Sequence, residues 1–267
     1  MSSNVLTVET GVGRAEVVDL GGGERRLTLD EEIHGQVNLE NPTRLAVDYQ
    51  SRLCQILVAL EVPHGGRVLH IGGGAFAVPR ALQVHRPDLT QTVVERSGAI
   101  IRLAERSLGL RRSPTLVVRK GDGRAAVRRL PDDAVDVVVG DAFVGQQTPP
   151  PLMTVEFLTE VRRAVGARGI YVVNIVDEQP WSRLGAHAAA AETVFDHIAA
   201  VGSRGVARLV DPGNVFLLAS AAPLPAAALR RAGAVHRDPF ALVAQGRLTA
   251  LARSTRPRRD SDVGPAG

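Results

Sequence analysis

The chain has 267 residues, 45% of them apolar, which suits one large α/β domain or two smaller ones with a sizeable core. Aromatic residues make up only 3%, so the core must be mostly Val, Leu, Ile and Ala, and a carbohydrate or single-strand nucleic-acid binder built on stacking platforms is disfavoured. The net charge of +4 is modest, carried by arginine with Lys120 as the single lysine, and shows no basic stripe of the kind a nucleic-acid partner needs.

In chain order, residues 4–39 read as short strands such as Ala15–Leu20 and Arg25–Leu29, cut by Gly11 to Gly13 and Gly21 to Gly23 into a small antiparallel cap. Asn41-Pro42-Thr43 opens a helix that runs through Tyr49 to Leu60, and Pro63, Gly65 and Gly66 end it. Five apolar runs follow: Val68–Ile71, Thr92–Val94, Thr115–Val118, Val135–Val139 and Ile170–Ile175. Helical patterns lie between them at Val78–His85, Ala99–Leu108, Gly123–Leu130 and Thr154–Val165. Continuous apolar strands alternating with amphipathic helices predict a parallel sheet covered on both faces. A helix over Ser182–Ala200 and strands at Val206–Val210 and Val215–Ala219 come next, then helix formers at Ala226–Arg231 and an apolar segment at Phe240–Leu251. Four regions are expected: a cap with its linking helix (1–62), a nucleoside-binding domain (63–222), a helical extension (223–251) and a disordered Arg/Pro-rich tail (252–267).

Cys54 is the only cysteine, which precludes an internal disulfide and fits a reducing compartment. Residues 1–10 lack the pattern of a signal peptide, and the longest uncharged run, Pro212–Leu229, is broken by Gly and Pro. A cytoplasmic protein with no membrane partner is expected. The seven histidines show no metal-ligand spacing, so no metal is assigned; His70 reads as a core imidazole.

Four positions at the ends of apolar strands carry the chemical signal. Gly72-Gly73-Gly74 follows the first run, Glu95 ends the second, Asp122 follows the third and Asp141 the fourth. Ligands of doubly wound sheets bind outside the carboxyl ends of the strands, so these positions are expected to converge on one crevice. Glycines admit a close ligand. Glu95, about 23 residues after Gly72, is near the offset at which an acid accepts from ribose hydroxyls. Asp122, between Gly121 and Gly123, can accept from an adenine amine, the glycines leaving room for the ring. Each residue alone fits a turn or a cap; the four together predict a nucleoside site.

Val68-Leu69-His70-Ile71-Gly72-Gly73-Gly74, Val93-Val94-Glu95, Gly121-Asp122-Gly123-Arg124, Asp141 and Thr154-Val155-Glu156-Phe157-Leu158 resemble the polyamine aminopropyltransferase (spermidine synthase) family. The last strand pair also resembles class I methyltransferases. The resemblance implies an α/β, Rossmann-like class I methyltransferase fold with a mostly parallel seven-stranded sheet and a small N-terminal β cap. It implies decarboxylated S-adenosylmethionine or S-adenosylmethionine as donor and a small-molecule acceptor. Glu95 would hold the ribose, Asp122 the adenine, and Asp141 would act as general base. Gln36 and Tyr49 stand where the family has a cap glutamine and a Tyr-His-Glu triplet. Pro180-Trp181 resembles its proline-aromatic loop, and residues 146–151 its gate. A homo-oligomer built through the cap is implied as well.

The departures matter equally. The family's Gly-Gly-Gly-Asp-Gly becomes Gly72-Gly73-Gly74-Ala75-Phe76, Val144 replaces an acid that holds the acceptor, and Tyr-His-Glu becomes Tyr49-Gln50-Ser51. Burying an ammonium without such carboxylates is costly. Asp48, Asp177 and Glu178 are candidate replacements, while Phe143, Phe76 and Val144 make the pocket more apolar. The expectation is an alkyl (aminopropyl or methyl) transferase. The alternatives are a methyltransferase with a non-polyamine substrate, a non-catalytic nucleoside binder, and a nucleic-acid binder acting through the tail.

Overall fold

Turn residues with positive φ set the first strands. In the computed structural model, which describes residues 5–10 and 13–263, β1 (Val5–Glu9), β2 (Arg14–Gly21), β3 (Glu24–Leu29) and β4 (Glu32–Asn38) pair antiparallel in sequence order. Gly21 to Gly23 all have positive φ and turn β2 into β3. β3 and β4 are joined by Asp30 and Glu31 at φ 49° and 71°, the two-residue hairpin geometry that matches strand twist. Gly11 and residue 12 of the expected turn lie outside the described residues. Ala15, Val17, Leu27 and Val37 are buried on this sheet.

Two units can be distinguished: residues 1–58 with 63–123, and residues 59–62 with the chain from 124 onward. In the first unit, α1 (Asp48–Ala59) buries Leu53, Cys54, Ile56 and Leu57. It begins later than the expected Asn41 entry, because the Asn41 side chain accepts from the Thr43 backbone N–H at 3.1 Å and holds a turn there. β5 (Arg67–Ile71), β6 (Thr90–Glu95) and β7 (Leu116–Lys120) run parallel, Ile71 opposite Val94 and Glu95 opposite Lys120. α2 (Ala77–His85) and α3 (Gly98–Ser107) are the intervening helices. Ser97 caps α3 by accepting from the Ile100 N–H at 3.3 Å. His70 is a core residue as expected: its Nε2 bonds Gln91 Oε1 at 3.0 Å, and burial lowers its pKa to about 4.

In the second unit, α4 (Gly123–Arg128, entered from the first unit) precedes β8 (Val137–Gly140), α5 (Val155–Val165) and β9 (Ile170–Asp177). α6 (Ser182–Glu192), β10 (His197–Ser203), α7 (Arg204–Ala207) and β11 (Gly213–Ser220) follow, then α8 (Ala226–Val235), β12 (Phe240–Leu242) and α9 (Gln245–Arg253). β8 and β9 are parallel, while β9–β11, β11–β10 and β10–β12 are antiparallel. The class is α/β, and β12 is a strand beyond the seven expected.

Three expectations for this unit are corrected. The helix read over Ser182–Ala200 ends at Glu192, and β10 starts at His197 because that segment is sandwiched between β11 and β12, where ladder bonds outweigh alanine's helix preference. Val206–Val210 is not a strand: Ser203 caps α7 through the Val206 N–H, and Leu209 turns away at φ 59°. The tail read as disordered is described as far as Val263, with Arg124 donating to both carboxylate oxygens of Asp260 at 2.7 and 2.6 Å. The Val155 N–H bonds the Arg258 carbonyl and the Asp260 N–H bonds Glu156. Paired charges and backbone bonds thus anchor a polar segment that has little to bury.

Candidate functional site

The glycine turn is built by backbone conformation. After Ile71, the Gly72 N–H continues the ladder to the Val94 carbonyl at 2.9 Å, and Gly72 and Gly74 adopt φ 97° and 49°. L side chains seldom take such values, so glycine is favoured. The Gly73 N–H then donates to Glu95 Oε2 at 2.8 Å, and the Ser97 N–H donates to Oε1 at 2.7 Å. The carboxylate at the end of β6 therefore clamps both the loop and the entrance of α3. Each oxygen keeps acceptor capacity, enough for a vicinal diol. Gly72, Gly73, Gly74 and Glu95 are thus brought together as the spacing predicts.

The same loop shows what the departures at 75 and 76 do. Ala75 is 1% exposed, and a Cβ on Gly35 of β4 would lie 2.7 Å from its Cβ. A Cβ on Gly74 would come within 3.1 Å of the His34 carbonyl. The cap strand thus lies directly on the loop, with a methyl where the family carries a carboxylate. Phe76 is fully buried at φ 56°, an unfavourable conformation for an aromatic residue, and its ring fills the space that a Gly73 side chain would need, 2.5 Å from that Cβ position. The loop is therefore closed on its cap side by apolar packing.

Asp122 follows β7 and is exposed. Gly123 is set by packing rather than by room for a ring: a Cβ there would lie 2.2 Å from Ile71 Cγ2 of β5. Gln36 is buried, and both ends of its amide are used inside the cap, donating to Glu24 at 3.1 Å and accepting from Arg26 at 3.3 Å. Those bonds brace the cap. The Tyr49 hydroxyl lies 3.5 Å from the His34 carbonyl and accepts from Gln50 Nε2 at 3.4 Å, so it faces the segment of β4 that covers the loop.

In the second unit, Asp141 follows β8 directly. Its Oδ1 accepts from Asn174 Nδ2 at 2.8 Å, and Asn174 Oδ1 accepts from Asn214 Nδ2 at 3.0 Å. The Asn174 carbonyl accepts from Thr148 Oγ1 at 3.4 Å. Burial pushes the Asp141 carboxyl up to about 6, while the bond from Asn174 pulls it back. A carboxylate so tuned is basic enough to take a proton near neutral pH. Phe143 is half-buried two residues on. Between them and Thr148, Val144 and Gln147 exchange backbone bonds around Gly145 at φ 58°.

Asn174 and Asn214 were not among the expected site residues. The available signal was a lone amide in the apolar run Ile170–Ile175; the partnership of the two needs the pairing of β9 with β11. Asp177 accepts from the Glu178 and Leu184 N–H groups at 3.0 and 2.8 Å at the entrance of α6. The Gln179–Pro180 bond is cis, and Trp181 Nε1 donates to the Leu209 carbonyl at 3.2 Å.

No family model matches the chain. A polyamine aminopropyltransferase from Vibrio vulnificus is 34% identical over 114 residues, 42% of this chain and 38% of that protein. One from Neisseria meningitidis (serogroup A) is 26% identical over 156 residues, 57% and 58% of the two chains. The matched segments therefore span less than two thirds of these relatives' own lengths. Among solved structures, a probable spermidine synthase from Corynebacterium glutamicum superposes with a TM-score of 0.88 at 22% identity, covering 100% of this chain and 99% of its own. Spermidine synthase from Thermotoga maritima gives 0.66 at 16% identity over 87% and 78%. Human methyltransferase-like protein 13, in complex with SAH, gives 0.55 at 18% over 78% and 90%. The fold is that of spermidine synthases and methyltransferases, and in sequence part of the chain is similar to polyamine aminopropyltransferases.

Proposed function

We propose that this chain is a spermidine synthase-like transferase. It takes an S-adenosyl-type donor, either decarboxylated S-adenosylmethionine or S-adenosylmethionine, and passes an alkyl group to a small nucleophilic acceptor. The observation that carries the reading is the Glu95 clamp on the Gly73 and Ser97 N–H groups, which presents a fixed acceptor pair beside a glycine turn at the end of a parallel strand. In this reading Glu95 holds the ribose hydroxyls and Asp122 the adenine amine, while Phe143 faces the acceptor. The acceptor attacks the carbon next to the sulfonium in line. The new bond forms as the carbon–sulfur bond breaks, its electron pair stays on sulfur as a neutral thioether, and the acceptor's proton passes to Asp141.

Ala75 favours methyl transfer from the intact donor as a second reading. The family's aspartate would repel the donor's carboxylate, and a buried methyl does not. Supplying each donor with a panel of small amines and identifying the nucleoside product tests both readings. Methylthioadenosine marks aminopropyl transfer and S-adenosylhomocysteine marks methyl transfer; neither product with any acceptor would refute the transferase reading. A homo-oligomer assembled through the cap belongs to the same proposal, supported by the exposed apolar side chains of Val5, Leu6, Leu20 and Ile33 on that sheet. Light scattering of the purified chain checks it, a monomeric mass being the contrary result. No helix among the described residues is long and apolar enough to cross a membrane.

A further inference from the structure

A concavity in the first unit, of about 480 Å³, is lined by residues of β3, α2 and the end of α3. Its volume falls within the range of small-molecule pockets. Four arginines line it: Arg25, Arg80, Arg106 and Arg111. Their charges are not balanced locally. Arg25 pairs with Asp19 at 2.9 Å, yet its buried Nε has no acceptor. The one lining carboxylate, Glu105, is drawn to Arg112, 2.6 Å away. Among the described residues no carboxylate pairs with Arg80, Arg106 or Arg111.

Arg80 is the most informative of them. It is only 6% exposed and donates from Nη2 to the Asn38 carbonyl at 3.2 Å, a neutral partner that leaves its charge unmatched. Gly109, at φ 70°, makes room for it: a Cβ there would come within 3.0 Å of Arg80 Nη2. A guanidinium stays protonated when buried, so an unmatched one calls for an external anion. Surface arginines alone would be an ordinary solvated face; a buried one held in place at the wall of a cavity is not.

We propose that this cavity binds a small phosphorylated ligand. Three unmatched guanidiniums call for more than one negative charge, and the planar fork of arginine matches phosphoryl oxygens. The apolar part of the lining, Val84 among it, leaves space for an organic group beside the phosphate. The site shares no lining residue with the Gly72–Gly74 turn or Glu95, so its ligand is distinct from the nucleoside donor.

Calorimetric titration of the full chain with inorganic pyrophosphate, with succinate as a dicarboxylate control, tests this. Wild type should bind pyrophosphate saturably and more weakly as salt rises, and in preference to succinate. The doubly substituted Arg106→Gln/Arg111→Gln protein changes only exposed side chains and should weaken pyrophosphate by about ten-fold or more. Arg80→Gln should abolish binding, circular dichroism reporting whether that variant is folded. Absence of pyrophosphate binding, equal affinity in the double variant, or equal binding of succinate would each overturn the proposal.

Discussion

Asp141 concentrates the residue-scale chemistry. Burial raises its folded-state pKa from 3.8 to about 6, so between those values the folded protein holds a proton that the unfolded chain has lost. Stability therefore falls as pH rises through that window. Full ionisation costs up to about 3 kcal/mol relative to the protonated form, a cost that Asp141→Asn removes. The variant should melt higher than wild type above pH 6 and equally below pH 4, which thermal denaturation across pH reads directly. Its turnover should fall by about a hundred-fold or more while donor affinity is kept. An unchanged rate would exclude Asp141 as the base.

Asn174 bonds the Asp141 carboxylate. Its Nδ2 donates to the carboxylate and favours the ionised form. In Asn174→Ala the acidic limb of the pH–rate profile should move up by about one pH unit. The half-buried Asn214 amide loses its acceptor too, so stability should drop by about 1 kcal/mol. A merely structural role would give the stability loss without the shift in the profile. The glycine turn and Glu95 were legible in sequence because each follows a continuous apolar strand. The asparagine pair was not, because Asn174 and Asn214 lie on strands that meet antiparallel, and nothing local to either residue announces the other.

At the scale of elements, legibility followed the source of each element's stability. Strands β5 to β9 are buried apolar runs, and the residues themselves state that burial. β10 is built from small residues that favour helix, and only its neighbours β11 and β12 make it a strand. The C-terminal segment is the extreme case: Arg124 and Asp260 are 136 residues apart in sequence and form a two-bond pair. Asp260 is 42% exposed, so the pair is partly screened. Asp260→Ala should cost about 1 kcal/mol, and truncation after Arg253 more, since the backbone bonds to Val155 and Glu156 go with it. Hydrogen exchange should show faster amides at the start of α5 in both variants; unchanged protection there would show that the tail does not hold that helix end.

For the whole molecule, the cap strand β4, the glycine turn and Glu95 form one packed arrangement within the first unit. The departures from the polyamine pattern at 75 and 51 act in one direction. A methyl at 75 and a hydroxyl at 51 stand where the resemblance places carboxylates, while the Glu95 carboxylate keeps its bond from the Gly73 N–H.

In the proposed reading the nucleoside donor binds through Glu95. Calorimetric titration of wild type and Glu95→Gln with S-adenosylmethionine, decarboxylated S-adenosylmethionine and methylthioadenosine tests it most directly. Wild type should bind all three, and loss of one charged acceptor should weaken each by about ten-fold or more, since all three share the ribose. Failure of wild type to bind any of the three, or equal binding by Glu95→Gln, would contradict the account.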